Sequence, residues 1–102
     1  MIAGFDVTVI LVNHNSGAHL DRCLQALAAQ TVRPHQVVLV DNASHDGSAD
    51  QAERAYPWLC VIRSPENRGF AAANNLAVAR SAATEWLALL NPDAFPAPDW
   101  LA

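Results

Sequence analysis

The sequence predicts a three-layer α/β/α domain built on a parallel sheet of about four strands. Two observations carry that prediction. Short apolar, β-branched runs alternate with segments of helical periodicity, in the order β-α-β-α-β-α-β. Parallel strands joined in this way need right-handed helical crossovers, which place helices on the faces of the sheet. The amount of apolar material agrees, since 52% of the 102 residues are hydrophobic and 16% are charged. That suffices for one core and is too apolar for a disordered chain, so a single domain over 1–102 is expected.

Each element has its own local reason. Val7 to Val12 is nearly all apolar and rich in β-branched residues, the composition of a strand buried on both faces. Ser16-Gly17 can turn the chain and cap the first helix. Ala18 to Gln30 places Leu20, Cys23, Leu24, Leu27 and Ala28 on one stripe, the signature of a core-facing helix. Pro34 falls in the connection, and Val37 to Val40 reads as the second buried strand. Asp41 to Gly47 reads as a polar loop. Ser48-Ala49-Asp50-Gln51 has the pattern of a capping box, starting a short helix that must end before Pro57. Leu59 to Ile62 is the third strand. Gly69 precedes an Ala-rich helix from Phe70 to about Ala83. Trp86 to Leu90 is the fourth strand. Asn91 to Ala102 reads as a Pro-rich loop with a first helical turn at Asp99, where that residue acts as a cap.

Composition excludes several functions. All 6 basic residues are Arg, so no Schiff-base lysine and no Walker A loop can exist. The formal net charge is -4 and the arginines are scattered singly, so no nucleic-acid footprint is present. Cys23 and Cys60 form no CxxC and read as buried reduced thiols. No apolar run reaches the length of a signal core or a membrane span. A cytoplasmic protein is expected, peripheral at the inner face of a membrane in a full-length enzyme. Trp58, Trp86 and Trp100 are expected in the core or an interface, and His19, His35 and His45 in solvent.

In open parallel sheets, ligands bind outside the carboxyl ends of the strands. Here those ends carry Asn13-His14-Asn15-Ser16, then Asp41-Asn42-Ala43-Ser44, then Arg63-Ser64 with Asn67-Arg68-Gly69, and finally Asn91-Pro92-Asp93. Amides and carboxylates can pair with the imide and carbonyls of a pyrimidine. Arg63 and Arg68 can meet phosphates. Asp93 beside a phosphate needs a cation between them, and a hard divalent ion such as Mg or Mn takes oxygen ligands from both. The edge therefore reads as a nucleotide-diphosphate site with a metal cofactor.

The four motifs together resemble family 2 glycosyltransferases of the GT-A fold, of the rhamnosyltransferase-like bacterial kind. They are Val9 to Gly17, Val40 to Ser48, Asn67 to Asn75 and Leu90 to Asp93. The resemblance implies the Rossmann-like, nucleotide-binding N-terminal half of that fold. By it, Asp41 contacts the pyrimidine of a UDP- or dTDP-sugar, and Asn13, His14 and Asn15 line the base and ribose pocket. Ser44 and Asp46 shape that pocket. Asn67, Arg68 and Gly69 approach ribose and diphosphate, supported by Asn74 or Asn75. Asn91-Pro92-Asp93 stands where the family has Asp-x-Asp, with Asp93 holding the metal and Asn91 replacing one carboxylate by an amide. The donor sugar would pass to a glycan or lipid-linked acceptor in cell-wall polysaccharide synthesis, with inversion. The acidic base for that step is expected beyond Ala102. The chain itself is then expected to bind donor without transferring sugar, and to self-associate through the surface an absent half would cover. A non-catalytic nucleotide-binding or assembly module is the alternative. A phosphoacceptor receiver domain is disfavoured because its partner lysine is missing.

Overall fold

The computed structural model describes residues 5–81 and 84–101. Its elements run β1 (Phe5–Asn13), α1 (Ala18–Ala28), β2 (Pro34–Asn42), α2 (Ser48–Ala55), β3 (Leu59–Ser64), α3 (Phe70–Arg80) and β4 (Trp86–Leu90). The strands form one sheet in the order β3-β2-β1-β4. All three pairings are parallel, with Val9 opposite both Val37 and Ala88. The predicted three-layer α/β/α architecture is therefore the one observed.

Burial follows from strand alternation. Val7, Val9, Leu11, Val37 and Leu39 point to one face, where Leu20, Cys23, Leu24 and Leu27 of α1 and Ala52 of α2 cover them. Ile10, Val38, Val40 and Ile62 point to the other face, where Ala73 and Ala77 of α3 close over them. Both β1 and β2 are thus buried on two sides, as continuous apolar runs require. At the edge, Ala88 and Leu90 of β4 pack towards the α1 side, whereas Leu87 and Leu89 face out beside α3 and stay exposed.

Several boundaries differ from the sequence expectation. The strands β1, β2 and β3 run further than their apolar runs, so Asn13, Asp41, Asn42 and Ser64 are ladder residues rather than loop. Pro34 opens β2 at a strand end, where its missing N–H costs nothing. Helix α1 stops at Ala28, which is exposed, and Gln30 lies beyond it. Ser48 is not the cap of α2: Gly47 caps it at φ 77°, a left-handed conformation that suits glycine. The Ser48 hydroxyl is engaged by the neighbouring loops instead of by Gln51. Helix α3 ends at Arg80, and the expected extension to Ala83 runs into residues 82–83, which lie outside the described residues. Asp99 begins no helix. A turn closed by the Trp100 N–H on the Ala97 carbonyl stands there, and Leu101 enters the core. None of the three tryptophans joins the core, and Cys60 is only partly buried.

Candidate nucleotide-sugar site

The chain moves from β1 outward to β2 and β3 over one face, then returns across the other face to β4. The topological switch therefore lies between β1 and β4, with Asn13 and Asn91 at the two strand ends. Physical expectation puts a ligand crevice there. An open groove of about 390 Å³ occupies that position, lined by Asn15, Ser16, His19, Asn91, Pro92 and Asp93. On the other side of the β1 loop, a second groove of about 580 Å³ is lined by Asp41, Ser44, His45, Asp50, Arg63 and Ser64, among others. The two grooves flank the β1 loop along the carboxyl edge of the sheet.

Asn13 organises the space between them. It is fully buried, and its amide donates to Asp41 Oδ1 at 2.9 Å, Ser48 Oγ at 2.8 Å and Ser44 Oγ at 3.2 Å. Its Oδ1 accepts the Ser16 N–H at 3.2 Å. The next contacts continue the pattern between the β1 and β2 loops. The Asn15 N–H donates to Ser44 Oγ, and Asn15 Oδ1 accepts the His45 N–H at 2.7 Å. Asp46 accepts the Gly17 N–H at 2.9 Å, and the Ser48 N–H and hydroxyl at 3.0 and 2.6 Å. These bonds hold the Asp46 carboxyl below its ordinary pKa, the Ser48 hydroxyl contributing most. Asn15 (φ 52°) and Ala43 (φ 53°) both adopt left-handed backbone, so strain is concentrated in these two loops.

This network separates the expected site residues into groups. Asn13, Ser44 and Asp46 join the two loops to each other. Asp41 is 6% exposed, and its carboxylate accepts from the Asn13 amide and, at 3.3 Å, from the Ser44 N–H. A carboxylate offers about four lone-pair sites, so acceptor capacity remains towards the groove. His14 points to the α3 side, where its Nδ1 lies 2.6 Å from the Asn42 carbonyl. Because that oxygen can only accept, Nδ1 carries the proton and Nε2 is left as an acceptor in the neutral ring.

The third strand contributes Arg63 and Ser64 to the groove beside Asp41. The Arg63 guanidinium is bound to Glu53 at 3.3 Å and Asp50 at 2.6 Å, whose hydrogen bonds, Glu53 first, raise its pKa. Arg63 stands in the groove wall as an ion-paired side chain. Arg68 pairs with Glu66 at 3.6 Å, and Asn67 turns back on the Gly69 N–H at 2.9 Å. Asn74 bonds the Phe70 carbonyl, Asn75 is exposed on α3, and none of Asn67, Arg68, Gly69 or Asn75 lines either groove. The Gly69 carbonyl does tie this loop to the end of β2, accepting from the Asn42 amide at 3.2 Å.

His19 and His45 are exposed, as the sequence predicts, and the structure adds that each lines one of the open grooves. The helical period carries the signal for His19: it sits in the first turn of α1, directly after the β1 loop. Asp93 and Asn91 share its groove. The charge of Asp93 reaches Cys23, whose thiol is pushed up to about 11 mainly by burial and then by that carboxylate. Among the described residues, no three His, Cys, Asp or Glu side chains form a metal cage. One carboxylate and one amide oxygen fit an ion of the Mg or Mn type that keeps waters and takes phosphate oxygens.

Comparison with known proteins gives the family and the fold. Residues 8–102 match the family described as "Glycosyl transferase family 2", and the chain belongs to it. An N-acetylglucosaminyl-diphospho-decaprenol L-rhamnosyltransferase of Mycobacterium tuberculosis is 32% identical over 95 residues, covering 83% of this chain and 31% of that protein. Glycosyltransferase AglE of Haloferax volcanii is 34% identical over 100 residues, covering 93% of this chain and 33% of its own. The mannosyltransferase PcManGT of Pyrobaculum calidifontis, solved with GDP-Man and Mn2+, superposes with a TM-score of 0.85 at 31% identity, over 94% of this chain and 30% of that one. TarS of S. aureus, solved with UDP-GlcNAc, superposes with a TM-score of 0.85 at 24% identity, over 95% of this chain and 29% of that one, and shows the shared fold. The chain thus spans about a third of the length of these relatives.

Proposed function

We propose that these residues form the donor-binding unit of an inverting glycosyltransferase, taking a UDP- or dTDP-sugar with a divalent metal. One observation carries the reading most: Asp41 and Asp93 lie at the carboxyl ends of β2 and β4, on either side of the β1 loop, each lining a groove. That spacing suits a base held at Asp41 and a diphosphate directed to Asp93. Asp41 accepts from the base, and the bonds from Asn13 and Ser44 fix its orientation. Asn15 and His19 offer polar groups along the groove to Asp93. Asp93 and Asn91 would hold the ion, which supplies positive charge to the leaving diphosphate when bound. Such charge stabilises the transition state more than the ground state, because negative charge grows there as the anomeric bond breaks.

The name of the mycobacterial relative supports a lipid-linked acceptor, and the resemblance to rhamnosyltransferases supports dTDP-rhamnose as donor. Inversion needs a general base for the acceptor hydroxyl. Asp93 is the one acidic residue lining its groove among the described residues, and it is assigned to the metal. On this reading the 102 residues bind donor and do not transfer sugar alone, in a cytoplasmic protein that meets the membrane peripherally. Among the described residues, no helix is long and apolar enough to cross a membrane.

Calorimetry with UDP, dTDP and GDP, each with and without Mn2+, tests the proposal. Binding of a pyrimidine nucleotide, strengthened by Mn2+ and at least roughly tenfold weaker in Asp41→Ala, is the expected result; one buried charged hydrogen bond is worth about that factor. No affinity for any of the three in the folded chain would overturn it. Preference for GDP would move the base assignment to the purine carried by the mannosyltransferase complex.

A further inference from the structure

The segment after Asp93 does not leave the molecule as a loop. It runs back along α1 and is fastened to it at intervals. The Ala94 N–H closes a turn on the Asn91 carbonyl at 2.9 Å. Phe95 stacks on His19 at 6.2 Å between ring centroids, and the Arg22 guanidinium sits 4.2 Å from the centre of the Phe95 ring. The Thr31 N–H donates to the Pro98 carbonyl at 2.8 Å. Gln30, only 8% exposed, holds the far end from both sides of its amide. Its Nε2 donates to the Ala97 carbonyl at 2.7 Å, and its Oε1 accepts the Leu101 N–H at 3.2 Å. Leu101 is anchored in the α1 core.

By contrast, the Asp93 carboxylate has no hydrogen-bond partner among the described residues. Its placement is set by its backbone, and that backbone is fixed between β4 on one side and the fastened segment on the other. We propose that residues 94–101 act as a strap that sets the position of Asp93, with Gln30 as the positioning residue that holds its far end. His19 lies in the first turn of α1 at the groove, whereas Gln30 lies just past the C-terminal end of that helix. It touches no ligand and acts through the strap. The inference rests on the assignment of Asp93 to the metal.

The test uses the full chain with Gln30→Met, which keeps the volume and deletes the amide bonds, and with Phe95→Leu, which loosens the near end. Mn2+ binding in the presence of UDP, dTDP or GDP is followed by water-proton relaxation, nucleotide binding without metal by calorimetry, and backbone opening by amide exchange. The expected result is a split: Mn2+ binding falls roughly tenfold, as when a supporting residue behind a metal ligand is lost. Metal-free nucleotide affinity stays within about twofold, because Asp41 is held by a separate network. Amide exchange at Asp93 and Ala94 accelerates. Should Gln30→Met not fold, Phe95→Leu carries the same split. Unchanged Mn2+ binding in both variants, while Asp93→Ala removes it, overturns the strap and leaves the metal assignment standing. No Mn2+ effect in the unmodified chain, or in Asp93→Ala relative to it, overturns the metal assignment and the strap with it.

Discussion

Asn13 shows how one buried amide can join two loops. Its donors reach Asp41, Ser44 and Ser48 at once, so the β1 and β2 loops are joined beneath the groove. The sequence places Asn13, Ser44 and Asp46 at this edge, and the structure adds that they clasp the two loops together, Ser44 also lining the groove beside Asp41. Asn13 does so because it continues the inward alternation of Val9 and Leu11, which no motif spacing reports. Asp46 carries a pH-dependent part of the same clasp. Its carboxyl lies below the ordinary value of 3.8, so the stability it adds is present above that value and is lost as pH falls through the lower folded one. Because Asp46 is exposed, the effect is small. Urea unfolding of Asp46→Ala should therefore show a deficit against the unmodified chain at neutral pH that disappears in strong acid. A deficit independent of pH would assign the contribution to packing instead.

Elements are legible wherever burial dictates composition. The runs Val7–Val12 and Val37–Val40 can hardly be anything but buried strands, and β4 matches its apolar run residue for residue. Ends are less legible, because polar residues such as Asn13 and Asp41 extend a strand through backbone pairing that side-chain character does not reveal. The α2 cap is hidden for a similar reason: Gly47 reaches φ 77° and frees the Ser48 hydroxyl for Asp46 and Asn13. Edge strand β4 has a further consequence. Trp86, Leu87 and Leu89 are 56%, 49% and 55% exposed, and the strand contains no charge or proline to block another strand. Light scattering should show association that rises with concentration and falls in Leu89→Lys. A clean monomer at high concentration would contradict this.

At the scale of the whole molecule, the alternation of strands and helices determines where chemistry can sit. Once the return crossover puts β4 beside β1, the switch point lies between Asn13 and Asn91, and the Asp93 groove is its consequence. The third-strand motif is the weaker guide: Arg63 satisfies its charge on Asp50 and Glu53, and the loop at 67–69 closes on itself. The central claim is that a nucleotide diphosphate lies along the carboxyl edge from Asp41 to Asp93. Amide chemical-shift mapping of the isotopically labelled chain tests it most directly, using the tightest-binding nucleotide with Mg2+ and then with Mn2+. The account predicts shifts confined to the ends of β1, β2 and β4, with Mn2+ broadening centred on Asn91 to Asp93. Shifts centred on the opposite end of the sheet, around Arg33, His35 and Trp58, would contradict it.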